Sequence, residues 1–580
     1  MNKLLTGSDA VAKIFQKEGV RFVFAYPGTS ELVLCNAFTN TKGIRLINGR
    51  GDKESAFMAA GGSLIKPLLS VALLHGARGS TNAMGAISDA QRNEINTLFI
   101  VGLPSTQSMP FLPPHGEGDL IQNLGNFAKK SFEIKKVDVK NAQEYVRIIL
   151  EAIMCAKTVP NGPVILGIPQ DALEKKWVPQ DLVNNLALEK KQILSVEKVL
   201  DKAARLVNNS LFPVILIDDF LFKVSNAEKI LLQFATKIHA PVFQIWYKRG
   251  PMMFQRLHKS QSPNFIGSYD VENKNHTEMM ERSDLLITIE DRNAYERIIG
   301  KLPNGKKLAL TSNPEMTRKN NYLKRSDVLI EGNVVDTMMR LIKKLPRKNG
   351  SPFGTIKSLK DNTTKSTLSP KYQKLRNDIS SGLAHVLRNI AYPVLVDDSQ
   401  MFGGLLFEQY EKLPEHLRVF GDHGAFIGGG VSLSAGLALC NKNHTVFCTL
   451  GDQSCTNAIQ GFISAVQENI NITYIVCNNG KSVSLIKQFM SQYPKTPDAR
   501  LISFLQNPKK MNYSRIADAI GLQCLRLVYD KATEDNFEHL WKKALSKAAS
   551  YDGPSLIELV LPSDPGMWEG IWSVKGNEKK

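Results

Sequence analysis

Three things are scarce in this chain, and each scarcity excludes a class of protein. Only seven cysteines occur in 580 residues, at positions 35, 155, 440, 448, 455, 477 and 524. They have no metal-type spacing and most sit inside apolar runs, so they read as buried thiols of a reducing compartment, not a disulfide framework or a zinc cluster. No stretch approaches the roughly 18 uninterrupted apolar residues that a membrane span needs. The run Met1 to Ser8 lacks the apolar core of a secretion signal, and the expected location is cytoplasmic. Nucleic-acid recognition modules and arginine-rich helices are also missing. The formal charge of +18 is spread over dispersed lysines and collects in the segments 343–348 and 575–580. An anionic small-molecule substrate accounts for it more simply than nucleic acid does.

What is present is a composition of 43% hydrophobic and 22% charged residues, that of a soluble globular protein. The length implies three or four units. Residues 1–180 alternate helix and strand signals, with strands read at Phe22 to Tyr26, Ser70 to Leu74, Leu98 to Val101 and Pro163 to Ile168. The alternation restarts over 190–345, with strands at Pro213 to Ile217, Pro241 to Ile245 and Asp284 to Ile289. Residues 346–370, rich in Lys, Ser, Thr, Asn and Gly, read as a linker, and a third alternating block fills 371–565. The expected fold class is α/β, with three doubly wound parallel-sheet domains.

The most informative chemistry lies in the third block. Leu450-Gly451-Asp452-Gln453-Ser454 follows one apolar run, and Asn478-Asn479-Gly480 follows the next. That spacing fits a strand–helix–strand unit, whose right-handed crossover leaves both strand tips adjacent. An Asp carboxylate and an Asn amide oxygen then converge as hard ligands suited to Mg²⁺, with turn glycines exposing N–H groups to a diphosphate. On this ground alone, ordinary turn dipeptides remain an alternative.

The pattern resembles the magnesium–diphosphate motif of thiamine diphosphate enzymes, the superfamily of benzoylformate decarboxylase, acetolactate synthase and pyruvate decarboxylase. The resemblance implies that Asp452, Asn479 and the carbonyl of Lys481 hold the metal and that Gly451, Gln453 and Ser454 border the diphosphate. Gln453 departs from the family, which has glycine there. Gly421 to Gly430 is similar to the family's glycine-rich loop under the bent cofactor. That likeness implies Ile427 as the wedge between the rings, and Gly424 and Ala425 as cofactor contacts. The stretch Leu74-His75-Gly76-Ala77-Arg78-Gly79 resembles benzoylformate decarboxylase and implies a proton-relay role for His75. Pro27-Gly28-Thr29 implies that Thr29 holds the substrate carboxylate. The acid expected to activate the aminopyrimidine falls at Asp52, where the family has glutamate, with Glu54 the alternative two residues on. His115, His258 and His423 are further candidates, each with a plain structural alternative.

By the same resemblance the domains are aminopyrimidine-binding (1–180), middle, of the transhydrogenase type (190–345), and diphosphate-binding (371–565). The implied activity is decarboxylation of a 2-oxo acid through an enamine. Carboligation onto a second carbonyl is one alternative, and a non-catalytic cofactor-binding paralogue is another. A homodimer or homotetramer with sites between subunits is implied. The segment Glu290-Asp291-Arg292 only faintly matches a flavin segment, so FAD is not expected.

Overall fold

Apolar runs without alternation, such as Thr445–Gly451 and Ile472–Asn478, are buried along their length, as the strands of a parallel sheet covered on both faces must be. The computed structural model describes residues 3–65, 68–108, 111–185, 197–246, 253–346, 368–493, 498–508 and 511–571. Most of the expected linker, 347–367, lies outside the described residues.

Each of the three blocks carries one six-stranded parallel sheet. In the first the spatial order is Arg45–Asn48, Phe22–Ala25, Ser70–His75, Thr97–Leu103, Val164–Pro169, Lys130–Glu133. In the third it is Arg418–Gly421, Pro393–Asp398, Thr445–Gly451, Ile472–Asn478, Pro554–Val560, Gln523–Val528. Numbered within their own blocks, both sheets read 2-1-3-4-6-5, whereas the middle sheet reads 3-2-1-4-5-6. The first and third domains therefore share one topology that their sequences do not advertise. A two-stranded antiparallel ribbon, Leu4–Thr6 with Lys176–Pro179, ties the ends of the first domain together.

The chain divides into two compact units. The first and third domains form one, and the described residues of 197–370, with 407–415 and 569–571, form the other. The segment 407–415 joins the middle unit through Tyr410, whose hydroxyl accepts from Arg256 N at 3.1 Å, and through the Arg256–Glu411 ion pair at 2.7 Å. Within the first unit, the helix Asp52–Gly62 lies against the helix Gly430–Cys440. A Cβ at Gly61 would collide with the Leu433 carbonyl, and one at Gly436 with the Met58 carbonyl. Only glycine permits so close a crossing at both points. Among the described residues no helix is long and apolar enough to cross a membrane.

Candidate active site

Thr445–Gly451 and Ile472–Asn478 pair in parallel with Gly451 opposite Cys477, so the turns that follow both strands lie side by side. Asp452 opens the helix Asp452–Gln467 and is 4% exposed. Its carboxylate accepts from Gln453 N at 2.8 Å, Gly480 N at 2.9 Å and Asn507 Nδ2 at 2.8 Å. Gly480 has a φ of +73°, a left-handed turn that glycine adopts without steric cost. Asn479 Oδ1 accepts from Lys481 N at 3.2 Å, while Asn478 Nδ2 donates to buried Glu558 at 2.7 Å. All three donors to Asp452 are neutral amides, and burial pushes the carboxyl up to about 6. A buried carboxylate beside an amide oxygen, with no cation of its own, fits a hard divalent ion. Among the described residues no group of three or more His, Cys, Asp and Glu forms a metal cluster. A site of one Asp, one Asn and a backbone carbonyl is of a different composition.

Gln453, the departure from glycine, has a partner. Its Nε2 donates to Asn507 Oδ1, and Asn507 in turn donates to Asp452. Asn507 ends a short segment bridged to the turn after Asn479: Lys481 pairs with Gln506, and Asn507 N donates to Gly480 O at 3.0 Å. Ser454 Oγ donates to Asp398 Oδ1 at 2.9 Å.

Asp398, at the tip of Pro393–Asp398, organises the glycine-rich loop. Its Oδ2 accepts from Gly428 N at 2.9 Å and Gly430 N at 3.0 Å. Burial, with the charge of Asp422 nearby, pushes it up to about 8. Asp422 accepts from Gly424 N and Phe426 N, each at 2.6 Å, folding the loop into a tight turn. Ala425 at its apex has a φ of +54°. Ile427 is 41% exposed although apolar, and its carbonyl is held by Asn457 Nδ2 at 2.6 Å. Phe426 packs on Phe57 of the first domain at 5.0 Å between ring centroids. His423 N donates to Asn93 Oδ1 at 3.1 Å, which ties it to the first domain.

In the first domain the candidates gather at the tip of Ser70–His75. His75 Nδ1 stands 3.0 Å from Ser30 Oγ and 3.2 Å from Glu31 Oε2. Gly28 N donates to Glu31 Oε1 at 2.5 Å, and Gly28 lies against the imidazole with no room for a Cβ. Thr29 is exposed on the same turn. Ser30 and Glu31 are site residues that no motif marks; the one signal in the sequence is an acid three residues past a turn glycine. Asp52 Oδ1 accepts from His75 N at 3.3 Å and packs on Gly79. Burial pushes Asp52 up to about 6. Glu54 turns the other way. It pairs with Lys53 at 3.1 Å and lies over Gly51 beside Gln460. His115 stacks near His75, centroids 4.9 Å apart, and burial together with His75 lowers its pKa. His258 belongs to the middle unit, buried against Tyr410 at 5.0 Å. The faint flavin segment there is internally paired, Arg292 to Glu290 at 2.5 Å and Thr317 to Asp291 at 2.7 Å.

Comparison with known proteins bears on the same two domains. Residues 5–124 match the model for the N-terminal TPP binding domain of thiamine pyrophosphate enzymes, and residues 399–559 match that for the C-terminal TPP binding domain. The acetolactate synthase isozyme 1 large subunit of Escherichia coli (strain K12) is 24% identical over 577 residues, covering 97% of this chain and 95% of that protein. The acetolactate synthase large subunit of Buchnera aphidicola is 24% identical over 508 residues, 84% of each chain. Among solved structures, the thiamine diphosphate-dependent 4-hydroxybenzoylformate decarboxylase of Rhodococcus jostii RHA1 superposes with a TM-score of 0.77 at 19% identity, covering 97% of this chain and all of that one. The benzoylformate decarboxylase of Polynucleobacter necessarius gives 0.76 at 18% identity, with 96% and 99% covered. At such identities the solved structures speak for the fold.

Proposed function

Because the chain belongs to the thiamine pyrophosphate enzymes, we propose that it decarboxylates a 2-oxo acid, using thiamine diphosphate held through Mg²⁺. The observation that carries this reading is the buried Asp452 carboxylate facing the Asn478–Gly480 turn across two paired strand tips. When bound, the cofactor supplies the electron sink that allows CO₂ to leave.

The chain's own residues do the rest. Asp452, Asn479 Oδ1 and the Lys481 carbonyl would hold the metal, and the first N–H groups of Asp452–Gln467, with Gly451, Gln453 and Ser454, would border the diphosphate. The exposed Ile427 would be the wedge, and the turn at Gly424 and Ala425 would offer a carbonyl to the aminopyrimidine. Asp52 would be the group that holds a proton toward that ring. Its elevated pKa brings it near working pH, where a general acid or base is most effective. Glu54, already paired with Lys53, is turned away. His75 moves a proton from the ring nitrogen not engaged by Ser30 and Glu31, and Thr29 orients the substrate carboxylate. The reading needs no flavin.

We further read the protein as a homodimer or homotetramer in which Asp52 of one copy serves the cofactor of another. In support, the glycine-rich loop meets its own first domain at Phe57, Gly85 and Asp89, beyond Asp52 and Gly79 along the same helices. Carboligation is the second reading, favoured by the acetolactate synthases that this chain matches almost end to end. The test is CO₂ release and product analysis with thiamine diphosphate, Mg²⁺ and a panel of 2-oxo acids, singly and in pairs. An aldehyde product supports the decarboxylase, and a hydroxy-ketone or acetohydroxy acid the carboligase. Tight cofactor binding without CO₂ makes it a non-catalytic paralogue. Absence of binding heat with cofactor and Mg²⁺ sinks the whole reading.

A further inference from the structure

A second cleft, of about 780 Å³, opens at the far ends of the strands that carry the cofactor residues. Arg21 and Arg45 stand at the start of Phe22–Ala25 and Arg45–Asn48, and Tyr392 and His444 immediately precede Pro393–Asp398 and Thr445–Gly451. Asp452 follows the other end of Thr445–Gly451. Seven residues of strand at about 3.3 Å each separate the cleft from Asp452 by roughly 20 Å.

We propose that this cleft binds a phosphate-bearing anion of the nucleotide class. Three cations border it: Arg21, Arg45 and Lys442. Arg45 shares its charge with Glu468 at 2.6 Å, while among the described residues neither Arg21 nor Lys442 has an ion-pair partner. Arginine forks and a lysine ammonium are the groups that grip phosphate oxygens. Tyr392 and His444 form a tilted aromatic pair, centroids 5.6 Å apart, with Tyr392 60% exposed. An open aromatic face beside concentrated positive charge suits a planar base attached to phosphates. Asn441 also lines the cleft, its Nδ2 donating to Leu437 O at 2.9 Å. The volume falls in the range of small-molecule sites, about 300–1,000 Å³.

The test is calorimetric titration of the protein, saturated with thiamine diphosphate and Mg²⁺ so that the Asp452 edge is closed, with ADP and separately with inorganic pyrophosphate. Both bind. The double variant Arg21→Glu/Lys442→Glu weakens both by about tenfold or more, as loss of paired charge-assisted contacts should. Tyr392→Ala weakens ADP and leaves pyrophosphate unchanged. No heat with either ligand at millimolar concentration overturns the proposal, as does binding that the charge reversal leaves intact. If Tyr392→Ala fails to separate the two probes, the nucleotide assignment is overturned. The substituted side chains are on the surface, and an unaltered circular dichroism melt establishes that the variants are folded.

Discussion

Asp52 and Glu54 sit two residues apart at the start of the same helix, in different surroundings. Asp52 is against His75 and Gly79, whereas Glu54 is held by Lys53. Burial raises Asp52 from 3.8 to about 6, so the folded chain binds its proton more tightly than the unfolded chain does. The stability this proton confers is complete below about pH 4 and is lost as pH rises through 6. At pH 8 the ionised carboxylate therefore costs about 2–3 kcal/mol. Asp52→Asn, neutral throughout, should be more stable than the parent at pH 8 by up to that amount, with the gap narrowing below pH 6 and closing toward pH 4. Urea melts of cofactor-free protein at several pH values measure this. A gap that widens on acidification would contradict the burial argument. The same variant should lower turnover by about 10²–10⁴-fold as a lost proton-transfer group, whereas Glu54→Gln should retain most of it.

Among the elements, the loop between Gly421 and Gly430 carries local backbone strain at one position. Ala425 adopts a φ of +54°, a left-handed conformation that costs a non-glycine residue about 1–2 kcal/mol. Ala425→Gly relieves that strain but adds unfolded-state freedom of about 0.5–1 kcal/mol, so stability should change by less than about 1 kcal/mol. Ala425→Val places a β-branched side chain in the same conformation and should cost about 2 kcal/mol or more. Chemical denaturation of the two variants decides between strain and indifference. The loop also shows what the sequence could reveal. Runs such as Pro213–Ile217 and Thr445–Gly451 were legible because a strand buried on both faces is continuously apolar. Lys130–Glu133 and Val328–Glu331 escaped notice, being only four residues long, outermost in their sheets and incompletely buried. Asp452 and Asn479 were legible because their spacing fixes a local unit. Ser30, Asp398 and Asn507 were not, because only tertiary folding brings them to His75, to the Gly428–Gly430 turn and to Asp452. Likewise Gln453, a mere deviation in sequence, is explained by a partner 54 residues away.

At the scale of the molecule, the two domains that share the 2-1-3-4-6-5 order also share one compact unit, and the middle sheet with its different order belongs to the other. Every residue assigned to the cofactor lies in the first unit. A ligand that binds only the native form stabilises the unit it touches by RT ln(1 + [L]/Kd), about 2.7 kcal/mol at a hundredfold excess over Kd. Differential scanning calorimetry should therefore show thiamine diphosphate with Mg²⁺ raising the transition of the first unit by several degrees, while that of the middle unit stays in place. Chelation with EDTA should return the shifted transition to its cofactor-free temperature, since the diphosphate alone meets the buried Asp452 carboxylate as like charge against like. Asp452→Ala removes that repulsion together with the metal ligand. It should abolish the Mg²⁺ dependence of the shift and leave at most a weak response to the diphosphate. If both transitions move together, or if EDTA leaves the shift intact, then the metal is not what joins the cofactor to the two strand tips.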